Sequence, residues 1–313
     1  MTETTKTVFE RYQVRKNKKQ KTAFIEYIRS LTVEHGYSFR VEKGSLGARN
    51  IVVGDPDTAK VVYTAHYDTC PVLPFPNFIT PKNFGIYLLY QLVLTLGILL
   101  VVWGIMVGST WLGLILATYG YISEIIIPLI SILLVYSCLG LLLFGPANWH
   151  TANDNTSGVT VLVDLLIALP EEEKDSVALV FFDLEEMGLI GSSSFAKKHK
   201  QAMKHRLLVN FDCVSDGTNL LFALRKSAKR YAPAIETAFH SDGEFSVEVL
   251  SKGVFYPSDQ MVFPCGVGVA ALKKSKKGNV LYMDRIHTPK DTVYREENIA
   301  FLVEGALKLP NLI

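Results

Sequence analysis

Residues Ser176–Ser192, SVALVFFDLEEMGLIGS, decide the fold. The first part, Ser176–Asp183, is almost entirely apolar, which is typical of a central strand that is covered on both faces. A polar turn with two adjacent glutamates follows, and Phe195–Lys200 then belongs to a helix. A buried strand that leads through a polar turn into a helix is the repeating unit of an α/β protein.

Strands and helices alternate along the rest of the chain outside one long insertion. Strands are predicted at Ser38–Val41, Asn50–Val53, Lys60–Thr64, Leu207–Asp212, Phe245–Leu250, Gly268–Leu272 and Val280–Ile286, and helices at Thr22–Leu31, Gly158–Ala168, Lys229–Ser241 and Glu296–Leu309. This alternation predicts a three-layer α/β/α domain around a mostly parallel mixed central sheet. In such sheets, binding sites form beyond the carboxyl ends of the strands.

A long apolar segment interrupts this pattern. Residues 84–144 contain no Lys, Arg, His or Asp and a single acid, Glu124. Because about 20 apolar residues cross the hydrocarbon core of a bilayer, we predict two membrane spans, Ile86–Val107 and Ile125–Phe144. Gly108–Ser123 then forms the turn or an interfacial piece on the far side. A buried pair of core helices and one long tilted helix are the alternatives.

The insertion divides the chain into a discontinuous catalytic domain, residues 1–83 and 145–313, and a transmembrane helical hairpin, residues 84–144. Residues 1–83 carry 13 Lys and Arg against 8 Asp and Glu, whereas the turn between the spans has no Lys or Arg. By the positive-inside rule, both soluble parts face the cytoplasm. The four cysteines share no close spacing, which agrees with a reducing compartment and argues against a CxxC zinc site.

The charge pattern argues against nucleic acid as a partner. The formal net charge is only +2, so the chain has no strong basic field. The local basic cluster Arg15–Lys21, RKNKKQK, is interpreted first as a solvated helix face and second as a contact with anionic lipid headgroups. Nucleic acid ranks third, because no aromatic-rich binding face accompanies the cluster.

Histidines and carboxylates lie at the ends of the predicted strands, and one further acid lies in a polar turn before a helix. These candidate site residues are His66, Asp68, Asp154, Glu185, Glu186, Asp212 and His287. Imidazole nitrogens and carboxylate oxygens are the ligands of zinc in catalytic sites. The set therefore predicts a zinc centre at the carboxyl edge of the sheet.

Two local patterns refine this prediction. Residues i and i+2 of a strand face the same way, so Asp68 can reach His66 and fix its tautomer. Glu185 and Glu186 would point in opposite directions in a strand and serve one site only where the chain turns. Gly188 permits that turn, as does the glycine three residues later. One glutamate can then bind metal while the other holds a water molecule.

Each feature by itself also has an ordinary structural explanation. The Asn-Asp-Asn sequence around Asp154 is a turn with an N-cap by default, and Asp212 could cap the next helix. The remaining histidines, His35, His150, His199, His205 and His240, are interpreted as ordinary loop or surface residues. The functional interpretation rests on the joint occurrence of five candidate ligands, four of them at strand ends, in one α/β chain.

The ordered motifs resemble one known family. AHYDT at 65–69, NDNTSG at 153–158, FFDLEEMGLIGS at 181–192, NFD at 210–212, SDQMVF at 258–263 and IHTPKDT at 286–292 are similar to the M28 family of co-catalytic zinc aminopeptidases. The resemblance covers the soluble chain from about Arg11 to Leu309. It implies a non-proline cis peptide bond after Asp154 and two zinc ions as cofactors.

The resemblance also implies a role for each candidate. It assigns the first zinc to His66, Asp154 and Asp212, the second zinc to Asp154 (bridging), Glu186 and His287, the general base to Glu185, and the partner of His66 to Asp68. The implied reaction is two-metal hydrolysis of a peptide with a free N-terminus. Because the first two metal-binding motifs flank the apolar segment, the number of membrane crossings must be even.

The chain departs from the family at three places. The membrane segment lies where relatives usually have a short loop. Gln260 stands where many members have His, which affects the polarity of the pocket. Ile286 precedes the last histidine, where some members place a Tyr that steadies the tetrahedral intermediate, and Tyr256 or Tyr282 is a candidate substitute.

The sequence therefore predicts a membrane-integrated di-zinc aminopeptidase whose partners are a peptide substrate and the lipid bilayer. A single-zinc acyltransferase that cyclises N-terminal glutamine is the first alternative. A catalytically inactive M28-like domain that binds other proteins is the second. A transporter component is disfavoured because two short spans with one acid offer no pathway.

Overall fold

The computed structural model describes residues 2–241, 243, 245–278 and 280–313. Its strands are β1 (Phe39–Lys43), β2 (Arg49–Val53), β3 (Val61–His66), β4 (Val177–Phe182), β5 (Leu207–Phe211), β6 (Asn219–Leu224), β7 (Ser246–Leu250), β8 (Gly266–Lys274) and β9 (Leu281–Tyr282). Its α-helices are α1 (Glu3–Tyr12), α2 (Lys18–Glu34), α3 (Phe84–Ile115), α4 (Ile127–Phe144), α5 (Gly158–Ala168), α6 (Ile190–Lys198), α7 (Lys200–Met203), α8 (Ala232–Ala238) and α9 (Glu296–Lys308).

The strands form one mixed sheet in the order β1-β2-β4-β3-β5-β8-β6-β7, and β9 pairs with β8. The pairings at its centre, β3 with β4, β3 with β5 and β5 with β8, are parallel. Antiparallel pairings occur toward the edges, between β1 and β2, β2 and β4, and β6 and β8. The parallel centre brings the carboxyl ends of β3, β4 and β5 to the same edge.

Helices cover both faces of the sheet, which confirms the predicted α/β class. On one face, α2 and α9 contribute Phe24, Ile28 and Leu302 to a core cluster that also includes residues of β3 and β5. On the other face, Phe195 of α6 and Met203 of α7 pack against alternate residues of β3 and β4. Complete burial of a side chain such as Phe24 contributes about 2–3 kcal/mol to stability. These two apolar layers fix the sheet edge that carries the candidate site.

Several boundaries differ from the sequence prediction. Helix α1 was not predicted, because its sequence is mostly polar and only Thr5 and Val8 are buried. Strand β6 was missed because NLLFAL is a short apolar run without the alternation that identifies a half-buried strand. The strand predicted over Val280–Ile286 shrinks to Leu281–Tyr282, so the last candidate histidine lies in a loop.

Helices α3 and α4 form the apolar hairpin. Within the described residues, Phe84–Ile115 and Ile122–Phe144 are long and apolar enough to cross a membrane, and they are 0% and 11% buried over their most apolar windows. The prediction that Gly108–Ser123 is a turn is wrong in its first half. No proline or charge interrupts α3 there, so its 32 residues continue for about 48 Å. The chain reverses near Gly120, where φ is 33°.

The hairpin is joined to the sheet domain at its base. Val72 donates its amide to Pro146 over 2.9 Å, and Asn148 donates its amide to the Cys70 carbonyl over 3.2 Å. Tyr90 near the start of α3 donates its hydroxyl to the Pro76 carbonyl over 2.6 Å. The name hairpin root is used below for residues 70–73 and 146–148. The division into a discontinuous domain and an inserted hairpin stays a prediction.

The basic cluster Arg15–Lys21 is not a solvated helix face throughout. Arg15 is completely buried and donates to the Tyr67 carbonyl over 2.5 Å. Lys21 is buried and pairs with Asp183 over 2.5 Å. The charged side chains at these two positions therefore bind the segments that follow β3 and β4, next to the candidate site. The side chain of Lys16 instead donates to the Leu143 carbonyl at the end of α4 over 3.1 Å.

Candidate metal centre

The ends of the three central strands carry the candidate ligands. Strand β3 ends at His66, Glu185 and Glu186 follow β4, and Asp212 follows β5. Because β4, β3 and β5 are adjacent and parallel, these side chains meet beyond one edge of the sheet. Asp154 reaches the same place from the turn before α5.

Three of the candidates form a first cluster. The Nε2 atom of His66 lies 3.3 Å from Oδ1 of Asp154 and 3.4 Å from Oδ1 of Asp212. All three residues are buried, with His66 only 1% exposed. The three ligand atoms lie within 4.8 Å of one another, so they could hold one metal ion.

A second cluster shares Asp154 with the first. The Nε2 atom of His287 lies 3.1 Å from Oδ2 of Asp154 and 3.2 Å from Oε2 of Glu186. One carboxylate oxygen of Asp154 therefore faces each histidine, which is the arrangement of a bridging ligand. Ligand atoms 2.0–2.1 Å from one zinc at tetrahedral angles lie about 3.3 Å apart. The observed separations in both clusters fit zinc coordination.

The electrostatics of the site also fit a cation. Burial and then the charge of Asp154 raise the pKa of Glu186 to about 8, although His287 opposes the shift. Burial lowers the pKa of His287, but Glu186 and Asp154 raise it to about 9. Oε1 of Glu186 is buried and has no hydrogen-bond partner in the described part of the protein. Buried acids that repel one another and leave an oxygen unpaired are stabilised by a metal ion.

Asp68 lies beside His66 and also holds the turn that carries the two glutamates. His66 Nδ1 lies 3.1 Å from the Asp68 carbonyl oxygen and 3.6 Å from the Asp68 carboxylate. That carboxylate also accepts the backbone amides of Glu185 over 3.0 Å and Glu186 over 3.3 Å. Burial alone would raise the pKa of Asp68, but His66, a nearby lysine and the Glu185 amide lower it below its ordinary value.

The turn after β4 lets both glutamates face the site. Leu184 and Leu189 adopt left-handed φ values of 57° and 60°, and Gly188 has a φ of 98°. Gly188 therefore permits the turn, as predicted. The glycine at 191 instead allows a close approach to the backbone, because an added Cβ there would lie 2.1 Å from the Asp183 carbonyl oxygen.

Burial is the largest cause that raises the pKa of Glu185 well above its ordinary value.

The turn that carries Asp154 is held from two sides. The peptide bond between Asp154 and Asn155 is cis, which confirms that expectation. Asp291 accepts the amide of Asn153 over 2.8 Å and that of Asp154 over 2.9 Å. The Asn155 side chain accepts the Gly158 amide over 2.9 Å and donates to the carbonyl of the last β5 residue over 3.0 Å. These bonds fix Asp154 between the two histidines.

Sequence reasoning missed three acidic or thiol residues near the centre. Asp291 belongs to the motif IHTPKDT but was assigned no role. Asp259 in SDQMVF is completely buried, neither of its oxygens has a hydrogen-bond partner in the described chain, and burial raises its pKa to about 7. Cys70, two residues after Asp68, lies in the second ligand cluster. Its proximity to AHYDT was the available signal.

The structure locates the residues at which the chain departs from its family. Gln260 is buried and bonds to the Tyr256 carbonyl over 2.6 Å, so it lies under β8 rather than in the site. The Tyr256 hydroxyl donates to the Asp212 carbonyl over 2.9 Å, and its ring lines the site cavity together with Ile286. Tyr282 lies outside that cavity, with its ring 5.8 Å from that of Phe78.

One of the histidines interpreted as ordinary is buried in an ion-pair network away from the site. His199 Nδ1 lies 2.7 Å from Asp57, and its Nε2 lies 3.1 Å from Glu42. Burial lowers the pKa of His199, but these two carboxylates raise it above its ordinary value. His199 therefore has a structural role in joining α6 to the edge of the sheet.

A cavity of about 280 Å³ opens over the two clusters. All five candidate ligands of the predicted pair of ions line this cavity: His66, Asp154, Glu186, Asp212 and His287. Glu185 borders it as well, whereas Asp68 lies behind the turn. The arrangement brings the ligand atoms of two candidate cation sites next to the carboxylate of Glu185.

Comparisons with known proteins agree with this geometry. The family model described as peptidase family M28 matches residues 140–301. No curated protein sequence matches the chain. Among solved structures, a leucine aminopeptidase precursor from Bacteroides thetaiotaomicron has a TM-score of 0.57 at 15% identity, with 97% of this chain and 93% of that chain covered.

Two further structures have the same fold. Glutaminyl cyclase from Porphyromonas gingivalis gives a TM-score of 0.57 at 14% identity and covers 97% of this chain and 93% of its own. The LapA aminopeptidase from Legionella pneumophila gives 0.54 at 13% identity and covers 99% and 69%. At these identities the likeness concerns the fold, and it is shared by two kinds of enzyme.

Proposed function

The chain belongs to peptidase family M28, and from this premise we propose that it is a membrane-integrated di-zinc aminopeptidase. The single observation that carries the proposal is the position of Asp154, with one carboxylate oxygen toward His66 and the other toward His287. A site for one ion needs only one of these triads. Two complete triads joined by a shared carboxylate support a pair of ions.

The chain's own residues supply the ligands. In this proposal, His66, Asp154 and Asp212 hold one zinc, and Asp154, Glu186 and His287 hold the other. Bound zinc supplies Lewis acidity to the substrate carbonyl and to a water molecule. The contact between His66 Nδ1 and the Asp68 carbonyl oxygen keeps a proton on Nδ1 and leaves Nε2 free as a ligand.

Glu185 is the proposed general base. Its carboxylate accepts a proton from the attacking water and then donates that proton to the leaving amine. Burial raises the pKa of Glu185 above its ordinary value, which helps this carboxylate to hold the proton between its two transfers. Asp68 positions Glu185 by accepting its backbone amide over 3.0 Å, so the carboxylate remains beside the two clusters.

The surroundings of the site favour removal of residues from a free N-terminus. The cavity of about 280 Å³ is small for an extended peptide that would pass through on both sides. The free amino group of a substrate's first residue, charged in solution, could bind at the second zinc and the carboxylates beside it. An internal peptide bond offers no such charge, so these acids favour exopeptidase activity.

The hairpin supports a membrane location close to the site. We propose that α3 and α4 cross the bilayer and that the sheet domain faces the cytoplasm. Leu73 of the hairpin root donates its amide to the His287 carbonyl over 2.9 Å, so a candidate ligand lies next to the start of the apolar segment. This proximity favours apolar or membrane-associated peptides as substrates. Equal turnover of soluble and lipid-partitioning peptides would contradict that preference.

The proposal is tested on the purified full chain in detergent micelles. Metal analysis is combined with a panel of N-terminal amide substrates and with mass spectrometry of the products. The expected result is two zinc ions per chain and products that have lost their N-terminal residue through addition of water. Loss of ammonia from N-terminal glutamine with one zinc per chain would instead support the glutaminyl cyclase alternative. A chain that binds zinc but changes no substrate would support an inactive binding domain.

A further inference from the structure

Cys70 stands out among the residues that the proposed function leaves without a role. It is completely buried, and its sulfur belongs to a cluster with Asp154, Glu186 and His287 whose ligand atoms all lie within 4.8 Å of one another. Cys213 also lies close to the site, but its sulfur donates to the Asp212 carboxylate over 3.2 Å. The described ligand clusters include Cys70 and do not include Cys213.

A second observation at the same place points to a bound cation. The side chain of Glu186 is 8% exposed, and its Oε2 faces His287. Its Oε1 is buried and has no hydrogen-bond partner within the described residues. A buried carboxylate oxygen without a partner is costly unless a cation binds it. The second cluster is therefore an electron-rich pocket that includes a soft sulfur atom.

On the basis of the proposed function, we propose that Cys70 is a thiolate ligand of the second metal ion, beside Asp154, Glu186 and His287. Coordination replaces the S–H bond with a sulfur–metal bond, and the thiol proton leaves to solvent. With zinc–sulfur and zinc–nitrogen distances of about 2.3 and 2.0–2.1 Å, tetrahedral ligands lie about 3.6 Å apart. Since the ligand atoms lie within 4.8 Å of one another, coordination needs a movement of at most about 1 Å.

The position of Cys70 links the metal to the membrane hairpin. The Cys70 carbonyl accepts the amide of Asn148 over 3.2 Å, and Val72 bonds across the hairpin root to Pro146 over 2.9 Å. A sulfur–metal bond at Cys70 therefore fixes the root at the second ion. Thiolate is a softer ligand than carboxylate, so the second site favours zinc and cadmium over manganese and magnesium.

Cobalt spectroscopy tests this ligation directly. The full chain in detergent is depleted of metal, and two equivalents of cobalt(II) are added while near-ultraviolet absorption is recorded. We expect a sulfur-to-cobalt charge-transfer band that appears with one of the two ions. The band should vanish in Cys70→Ser and persist in the matched variant Cys213→Ser. Cys70→Ser should also weaken cobalt binding at one site by about tenfold or more.

The outcomes separate the two proposals. Two bound cobalt ions without the charge-transfer band, or a band that persists in Cys70→Ser, would overturn the ligation and leave the di-metal proposal intact. No binding of cobalt or zinc would overturn the proposed function itself, and the ligation with it.

A measurement on the unaltered chain tests the ligation even if the serine variant does not fold. Alkylation of each cysteine is followed by peptide mass spectrometry with and without zinc. Because Cys70 is completely buried, a small reagent reaches it only when the chain opens locally, so the reaction is followed for long enough to label Cys70 in the zinc-free sample. We then expect zinc to slow the alkylation of Cys70 on the order of tenfold, because a bound thiolate is not free to react. Cys265, which is also buried but lies outside the candidate ligand clusters, should react at the same rate in both samples. Equal rates at Cys70 with and without bound zinc would contradict the proposal.

Discussion

The metal centre and the apolar hairpin place their side chains in opposite environments. At the centre, charged residues such as His66, Asp154 and Asp212 are at most 5% exposed. In the hairpin, large apolar residues are widely exposed, with Leu100 at 65% and Trp103 at 64%. In water, the first arrangement buries charges that repel one another, and the second exposes hydrocarbon.

Under the proposed function, each region has a partner outside the polypeptide. Divalent cations would compensate for the acids at the centre, and a bilayer would cover the apolar surface of the hairpin. The hairpin root joins the two regions, because Leu73 bonds to the carbonyl of His287 over 2.9 Å. Variants that disrupt only the metal centre or only the hairpin test the two proposed partners separately.

The largest effect is expected from Asp154→Ala. Asp154 contacts both histidines, so its loss removes a ligand from both clusters at once. Zinc content should fall from both ions to none, and activity should fall by more than the roughly 10²–10⁴-fold that a single general base contributes. Metal analysis and peptide turnover measure the two losses.

The control for this variant is Asp164→Ala, which removes an acid outside the site. Asp164 accepts hydrogen bonds from Thr2 and Thr5 at the start of α1, and no candidate ligand contacts it in the described chain. It should retain zinc and turnover. If Asp154→Ala kept one full equivalent of zinc, the shared carboxylate would not be a bridge.

The next largest effect is expected from Glu185→Gln. The amide has nearly the same shape as the carboxylate but cannot accept the proton of water, so turnover should fall roughly 10²–10⁴-fold. Zinc content should remain unchanged, because Glu185 is not needed to complete either proposed triad. Glu304→Gln, at an exposed ion pair with Lys308, is the matched control. Near-normal turnover in Glu185→Gln would remove the assigned base.

The part of the fold that follows from periodicity was predictable. The apolar run that forms β4 and the helical pattern of α5 were found almost residue by residue, because burial on both faces leaves a continuous apolar signal. The two apolar spans were also evident. The end of α3 at Ile115 was not, because an apolar sequence without proline or charge gives no stop signal there.

The residues of the site were predictable only where a motif carried them. His66 and the two glutamates were found from strand ends and order. The further bonds of the Asp68 carboxylate to the Glu185 and Glu186 amides were not, because they depend on how the turn after β4 folds back over β3. Arg15 was misread as solvated, because local sequence does not reveal that a distant loop will bury a charge.

The membrane half of the comparison is tested by Leu100→Arg. Leu100 lies at the middle of α3, where replacement of leucine by arginine makes insertion about 3 kcal/mol less favourable. A larger fraction of the protein should therefore be removed from membranes by alkaline extraction. Val33→Arg on α2 is the matched control, because Val33 is 71% exposed but lies in the sheet domain. Equal extraction of both variants would show that α3 does not lie in lipid.

The smallest effect is expected from Asp68→Asn, and it tests what supports the metal centre. The Asp68 carboxylate accepts the amides of Glu185 and Glu186, which hold the base and a proposed ligand in place. An asparagine keeps one acceptor oxygen and turns the other into a donor that faces an amide, so one of these bonds is lost. Residues behind metal ligands typically contribute 10–100-fold to activity or metal affinity. Turnover should therefore fall about tenfold to 100-fold while both zinc ions remain largely bound. If Asp68→Asn released one zinc as readily as a ligand variant, Asp68 would act on the metal directly rather than through the turn.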